Sequence, residues 1–141
     1  MNASLPQITE YLHNDPKISA AWLFGSVATG KDGTDSDIDI AVLFVPGLSK
    51  HERFDLKLCL AGELTRMAGR DVDVVDMQSA PLYLQHQVRK AGRLIVEKDH
   101  AYRMAFDVHS RREYFDFAPV LELRNQRLIQ RALGGKQDGQ C

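Results

Sequence analysis

Hydrophobic positions fall along this chain in two kinds of block. Ile18 to Phe24 and Ile38 to Val45 are nearly continuous apolar runs, rich in β-branched and aromatic residues and ended by Gly25-Ser26 and Pro46-Gly47. They predict two strands. Asp71 to Asp76 predicts a short third strand, and Leu94 to Val96 a fourth. Between them the spacing is helical. Leu5 to His13 predicts a first helix. Ser49, with Glu52 three residues on, forms a capping box that opens a second, ended by Gly69. Phe54, Leu58, Ala61, Leu64 and Ala68 are the predicted apolar stripe of that helix. Ser79-Ala80-Pro81 opens another helix, which Gly92 closes. From Asp99 onward the pattern is helical, and Pro119 predicts a kink or two successive helices. Thr29 to Ser36 is turn chemistry. The layout is α/β (α+β): a small mixed sheet flanked by helices, with a helical C-terminal extension.

Composition narrows the class. A chain of 141 residues, 44% hydrophobic and 26% charged, suits one globular domain. The apolar runs are far shorter than the ~20 residues of a membrane-spanning helix. Cys59 and Cys141 lack a disulfide framework, and the N-terminus lacks a signal-peptide pattern, so a cytoplasmic location is expected. Eighteen Lys and Arg nearly cancel nineteen Asp and Glu. No direct nucleic-acid binding is expected from that balance, and no membrane contact from the short apolar runs. The cancellation is an average, however. No basic residue separates Lys31 from Lys50, where Asp32, Asp35, Asp37 and Asp39 cluster, while arginines gather from Arg103 to Arg131.

That acidic cluster carries the chemistry. Residues two apart in a strand share a face, so Asp37 and Asp39 project together and Ile38 and Ile40 project oppositely. Two such carboxylates repel, and a divalent cation with a taste for hard oxygens, Mg²⁺, is the natural resolution. In the third strand Asp71 and Asp73 share a face; Asp73 is the better placed, since Asp71 directly follows Gly69-Arg70 at the strand's start. With Asp73 added, three carboxylates can hold two Mg²⁺ ions for an in-line phosphoryl displacement. Gly25 lets backbone approach a phosphate, and Ser26 adds a hydroxyl at the start of a turn whose N–H groups suit an anion.

Gly25-Ser26, ten residues, Asp37-Ile38-Asp39, and a later Asp73 in an apolar strand resemble the signature of the polymerase-β-like nucleotidyltransferases. The short chain is similar to their minimal branch (MNT), the antitoxin half of HEPN/MNT toxin–antitoxin pairs. The likeness in motif spans about Ala20 to Asp76, and in layout reaches about Glu97. It implies a nucleotidyltransferase core over 1–98, with 99–133 as its helical extension and 134–141 as a flexible tail. It implies Gly25 and Ser26 as triphosphate ligands, and Asp37, Asp39 and Asp73 as catalytic metal ligands. The implied reaction moves AMP from ATP, with Mg²⁺, to a tyrosine hydroxyl of a cognate HEPN ribonuclease toxin. The implied assembly is a hetero-oligomer with that toxin. Transfer to a small-molecule hydroxyl such as an aminoglycoside's, and toxin binding without catalysis, are the competing expectations. Lys31, Arg53 and Arg93 are the candidate triphosphate cations.

Other features read more simply. The five histidines form no metal-ligand set. Arg103 and His109 superficially match the Arg-x(4–6)-His pattern of HEPN ribonucleases, a loose pairing that arises easily by chance. Phe117, Leu121 and Leu128 form an apolar helix face that either covers the sheet or docks a partner helix.

Overall fold

In a computed structural model, residues 4–25 and 37–133 are described, without the side chains at 4, 118, 120–122, 125 and 128–133. The elements are α1 (Ser4–Asn14), β1 (Ile18–Phe24), β2 (Ile38–Phe44), α2 (Lys50–Ala68), β3 (Val72–Asp76), α3 (Leu82–Ala91), β4 (Arg93–Glu97) and α4 (His100–Leu133). The strands form one sheet in the order β3-β2-β1-β4. β1 is antiparallel to β2 and β4, and β2 is parallel to β3. The turn predicted at Thr29–Ser36, Ser26 and the 134–141 tail lie outside the described residues.

Period-two alternation divides the sheet between two cores. Ala21, Leu23, Ile38, Ile40, Val42, Phe44, Val72 and Val74 join Ile8 and Leu12 of α1 and Leu60 and Leu64 of α2 in the larger one. Ala20, Trp22, Ala41 and Leu43 turn to the other side, where Met77 and Val88 complete a smaller core with Tyr102 and Phe106 of α4 against it.

The predicted stripe of α2 is corrected here. Ser49 and Glu52 do form the capping box, and Gly69 closes the helix at φ +71°. The buried residues, however, are Leu60 and Leu64, with Leu56, Ala61, Met67 and Ala68 packed alongside. Phe54 and Leu58 are 50% and 54% exposed. The helix is rotated because Arg53 also turns inward. Its Nε lies 2.9 Å from Asp76 Oδ2, and its Nη1 donates to Leu48 O at 3.0 Å. A charged residue thus opens the inward row, which a count of apolar positions does not register. Gly62, by contrast, would meet nothing with a Cβ added. Gly62→Ala is expected to stabilise the chain by about 1 kcal/mol, because alanine loses less backbone entropy in a helix. A urea melt checks this, and an unchanged or lower midpoint counts against it.

In the C-terminal segment one of the two expected alternatives falls away. α4 is one helix that contains Pro119, not two in succession. A proline forfeits one N–H and crowds one carbonyl, which leaves the turns on either side intact. The first half of α4 is held by polar groups. Arg103 bonds Glu97 Oε2 at 2.6 Å and Asp107 Oδ2 at 2.5 Å. Arg89 donates to Ser110 Oγ at 2.8 Å, and Ser110 donates to Gln85 Oε1 at 2.6 Å. Burial pushes the Asp107 carboxyl up, against the pull of Arg103 and Arg89. Arg103 is therefore a structural tie, and His109 pairs instead with Glu113 at 3.4 Å.

Candidate active site

One row across the sheet defines the site. Phe24 at the end of β1 pairs with Asp39 of β2, and Asp39 pairs with Asp73 of β3. Paired residues share a face, so all three point to the side of the smaller core. The next row inward is Trp22, Ala41 and Val75, wholly apolar. The face therefore changes from hydrocarbon to carboxylate within one strand repeat. The apolar rows are covered by α3 and α4; at the carboxylate row Asp73 is exposed and Asp39 half-buried. Asp37 is exposed just ahead of β2.

The register distinguishes the two third-strand candidates. Ile38 pairs with Val72, and Ile38 N donates to Asp71 O at 3.0 Å. Asp71 meets β2 through its backbone just before the strand, while Asp73 stands directly beside Asp39. Asp76 goes to the opposite face and is consumed by Arg53.

Electrostatically the cluster is acidic. Among the described residues no cation pairs with Asp37, Asp39 or Asp73. Asp39 has its carboxyl pushed up, first by burial, then by Asp73 and Asp37. A strand-bound carboxylate so placed favours a proton or a metal cation. The donors are hard oxygens that suit Mg²⁺ in kind. Among the described residues they are not drawn into a closed three-ligand cage. An open set is usual for Mg²⁺, which keeps several waters and takes other oxygens from substrate phosphate.

Gly25 belongs to the same constellation. Its φ is +83°, a left-handed conformation that favours glycine. A Cβ there would overlap Asp39 Oδ2. The glycine is thus required twice, by the turn and by the carboxylate behind it. Of the candidate triphosphate cations, Arg53 is committed to Asp76, Leu48 and Ser79. Arg93 is exposed at the same end of the sheet, paired with Leu23, and Lys31 lies outside the described residues. Sequence reasoning missed Phe24 as a member of the row. Its adjacency to Gly25 was the available signal, but pairing with Asp39 is a property of the register.

Comparison with known proteins agrees with this geometry. Residues 6–101 match the family model described as polymerase beta, nucleotidyltransferase. Over 80 residues, 57% of this chain, the sequence is 41% identical to protein adenylyltransferase MntA of Shewanella oneidensis. That match spans about half (55%) of the relative's length. Among solved structures, a crystal structure of the MntA–HepT toxin–antitoxin matches 94% of this chain and 99% of its own, at 28% identity and a TM-score of 0.65. A toxin–antitoxin with AMP-PNP matches at 29% identity and 0.64, covering 92% and 96%. The complex of tri-AMPylated Shewanella oneidensis HEPN toxin with MNT antitoxin matches at 29% and 0.62, also covering 92% and 96%.

Proposed function

This chain belongs to the polymerase beta nucleotidyltransferase family, and from that premise we propose that it is an antitoxin-type protein adenylyltransferase. It moves AMP from ATP to a tyrosine hydroxyl of a cognate HEPN ribonuclease and so neutralises it. The observation that carries this reading is the Asp39–Asp73 pair, side by side on neighbouring strands with Gly25 closed against Asp39. A nucleotide–metal chemistry gives a use to that row of carboxylates, for which no ion pair is seen among the described residues. The toxin–antitoxin complexes supply the acceptor class, one of them with a tri-AMPylated toxin and another with AMP-PNP.

Asp37, Asp39 and Asp73 would hold Mg²⁺. When bound, the metal would neutralise phosphate charge and polarise the α-phosphorus. The chain's own groups do the rest. Gly25 admits the triphosphate close to the backbone, with Ser26 after it. Asp73, open to solvent, takes the phenol proton in this proposal. The phenol oxygen bonds to the α-phosphorus as the bond to the bridging oxygen breaks, and pyrophosphate leaves. The partner is received elsewhere. Phe117 on the second half of α4 is 51% exposed, so this residue does not cover the sheet. The docking role for that face is part of the same proposal, as is a cytoplasmic setting; no helix among the described residues is long and apolar enough to cross a membrane.

The test is direct. The chain is incubated with Mg²⁺, α-labelled ATP and the proposed cognate HEPN protein. Label on a tyrosine of that protein is expected, and its ribonuclease activity falls in step. An unlabelled partner, or label unaffected by Asp37→Ala with Asp39→Ala, overturns the reading. Label on an aminoglycoside in place of the protein supports the small-molecule alternative. Full neutralisation by the folded double variant supports binding without catalysis.

A further inference from the structure

Gly92 sits where α3 gives way to β4, far from the carboxylates in sequence. Its backbone is extended, with φ −80° and ψ 166°, a conformation open to any residue. Turn geometry therefore does not explain a glycine here. Space does. A Cβ at Gly92 would stand 2.5 Å from Val88 O, and 3.3 Å from both Leu23 O and Phe24 Cβ. Neither side can yield freely. Val88 is fully buried in the smaller core, and Gly92 N donates to Val88 O at 2.8 Å to close the helix. Leu23 is fully buried in the larger core and paired on both sides, with Ile40 and with Arg93.

The contact lies one residue from the site. Leu23-Phe24 leads directly into Gly25, Phe24 pairs with Asp39, and the bare Cα of Gly25 faces Asp39 Oδ2. Two glycines thus bracket the end of β1, Gly92 from the α3–β4 corner and Gly25 from the β2 side. Close-packed interiors transmit displacements of a few tenths of an ångström instead of absorbing them. We propose that Gly92 is a positioning residue for nucleotidyl transfer: having no side chain, it lets the α3–β4 corner seat on Leu23-Phe24 and hold the Gly25 turn against Asp39. This rests on the function proposed above.

The experiment compares wild type, Gly92→Ala and the control Gly62→Ala, whose added Cβ meets open space. Steady-state AMP transfer from ATP and amide chemical shifts of the free chain are both measured. In Gly92→Ala we expect kcat to fall tenfold or more and the KM for ATP to rise. Amide shifts at Phe24, Gly25 and Asp39 should move as well as those at 88–94. Gly62→Ala should match wild type in all of these. Gly92→Ala is also built in the Gly62→Ala background. A folded double variant that stays impaired supports positioning. Activity that returns with the folded fraction overturns it, as does a chain that fails to fold even there, since the glycine then serves the fold alone. A kcat within twofold of wild type, with shifts confined to 88–94, overturns it equally. Wild type that transfers no AMP overturns the proposed function instead, while the shifts still report on whether the corner holds Gly25 and Asp39.

Discussion

Asp39→Asn is expected to abolish most AMP transfer, by about a hundredfold or more in kcat/KM, while leaving the chain as stable as before or more so. The loss follows from removing the central charge of the proposed metal-binding row, where metal-ion catalysis contributes several kcal/mol and each 1.4 kcal/mol is tenfold. The stability half follows from the pKa. Burial, then Asp73 and Asp37, hold the folded-state carboxyl of Asp39 above its ordinary value. The folded chain therefore binds more protons than the unfolded chain between the two pKa values, and stability falls as pH rises through that window. Asparagine removes the repulsion without changing the shape. The gain in Tm should be largest at pH values above the raised pKa and fade as pH falls below the unfolded value. Transfer assays and thermal melts across pH, without added Mg²⁺ in the melts, check both halves. Near-normal activity, or a stability loss that grows with pH, would show that Asp39 is not the strained centre of the site.

The second large effect lies on the opposite face. Asp76→Ala is expected to cost about 3–5 kcal/mol, because it strands a half-buried guanidinium that was bonded at 2.9 Å. Side-chain exposures of 15% for Arg53 and 6% for Asp76 place this pair well inside the range where a missing partner is felt. Replacing both, as Arg53→Met with Asp76→Leu, should recover much of the loss, since an apolar pair of similar bulk leaves no charge unsatisfied. Urea denaturation of the single and double variants measures it. A loss under about 1 kcal/mol for Asp76→Ala would mean that solvent already screens the pair. Asp73 is on the other face of the same strand, so specific activity of the folded single variant should remain near wild type at low temperature.

Much of this molecule was legible in one dimension. Two apolar runs gave β1 and β2, a capping box and Gly69 bounded α2, and the alternation of carboxylate with isoleucine in Asp37-Ile38-Asp39-Ile40 marked the site. These are local signals, set by backbone stereochemistry within a few residues. Local parity could place Asp71 and Asp73 on one face but could not align β3 with β2. That alignment is a parallel pairing across the whole of α2, and it made Asp73 the neighbour of Asp39. The roll of α2 was decided in the same way. Phe54 and Leu58 look like core by spacing, yet Arg53 turned inward to Asp76 and carried them outward. Gly92 shows the limit most plainly. By its own dihedrals it could be any residue; a Cβ there is crowded first by Val88 O of the preceding helix and then, from another strand, by Leu23 O and Phe24 Cβ. The sequence by itself determined which segments are strands and helices and which residues are the candidates for the chemistry. Register, helix rotation and close approach were left to the tertiary structure, because each depends on what a distant segment brings into contact.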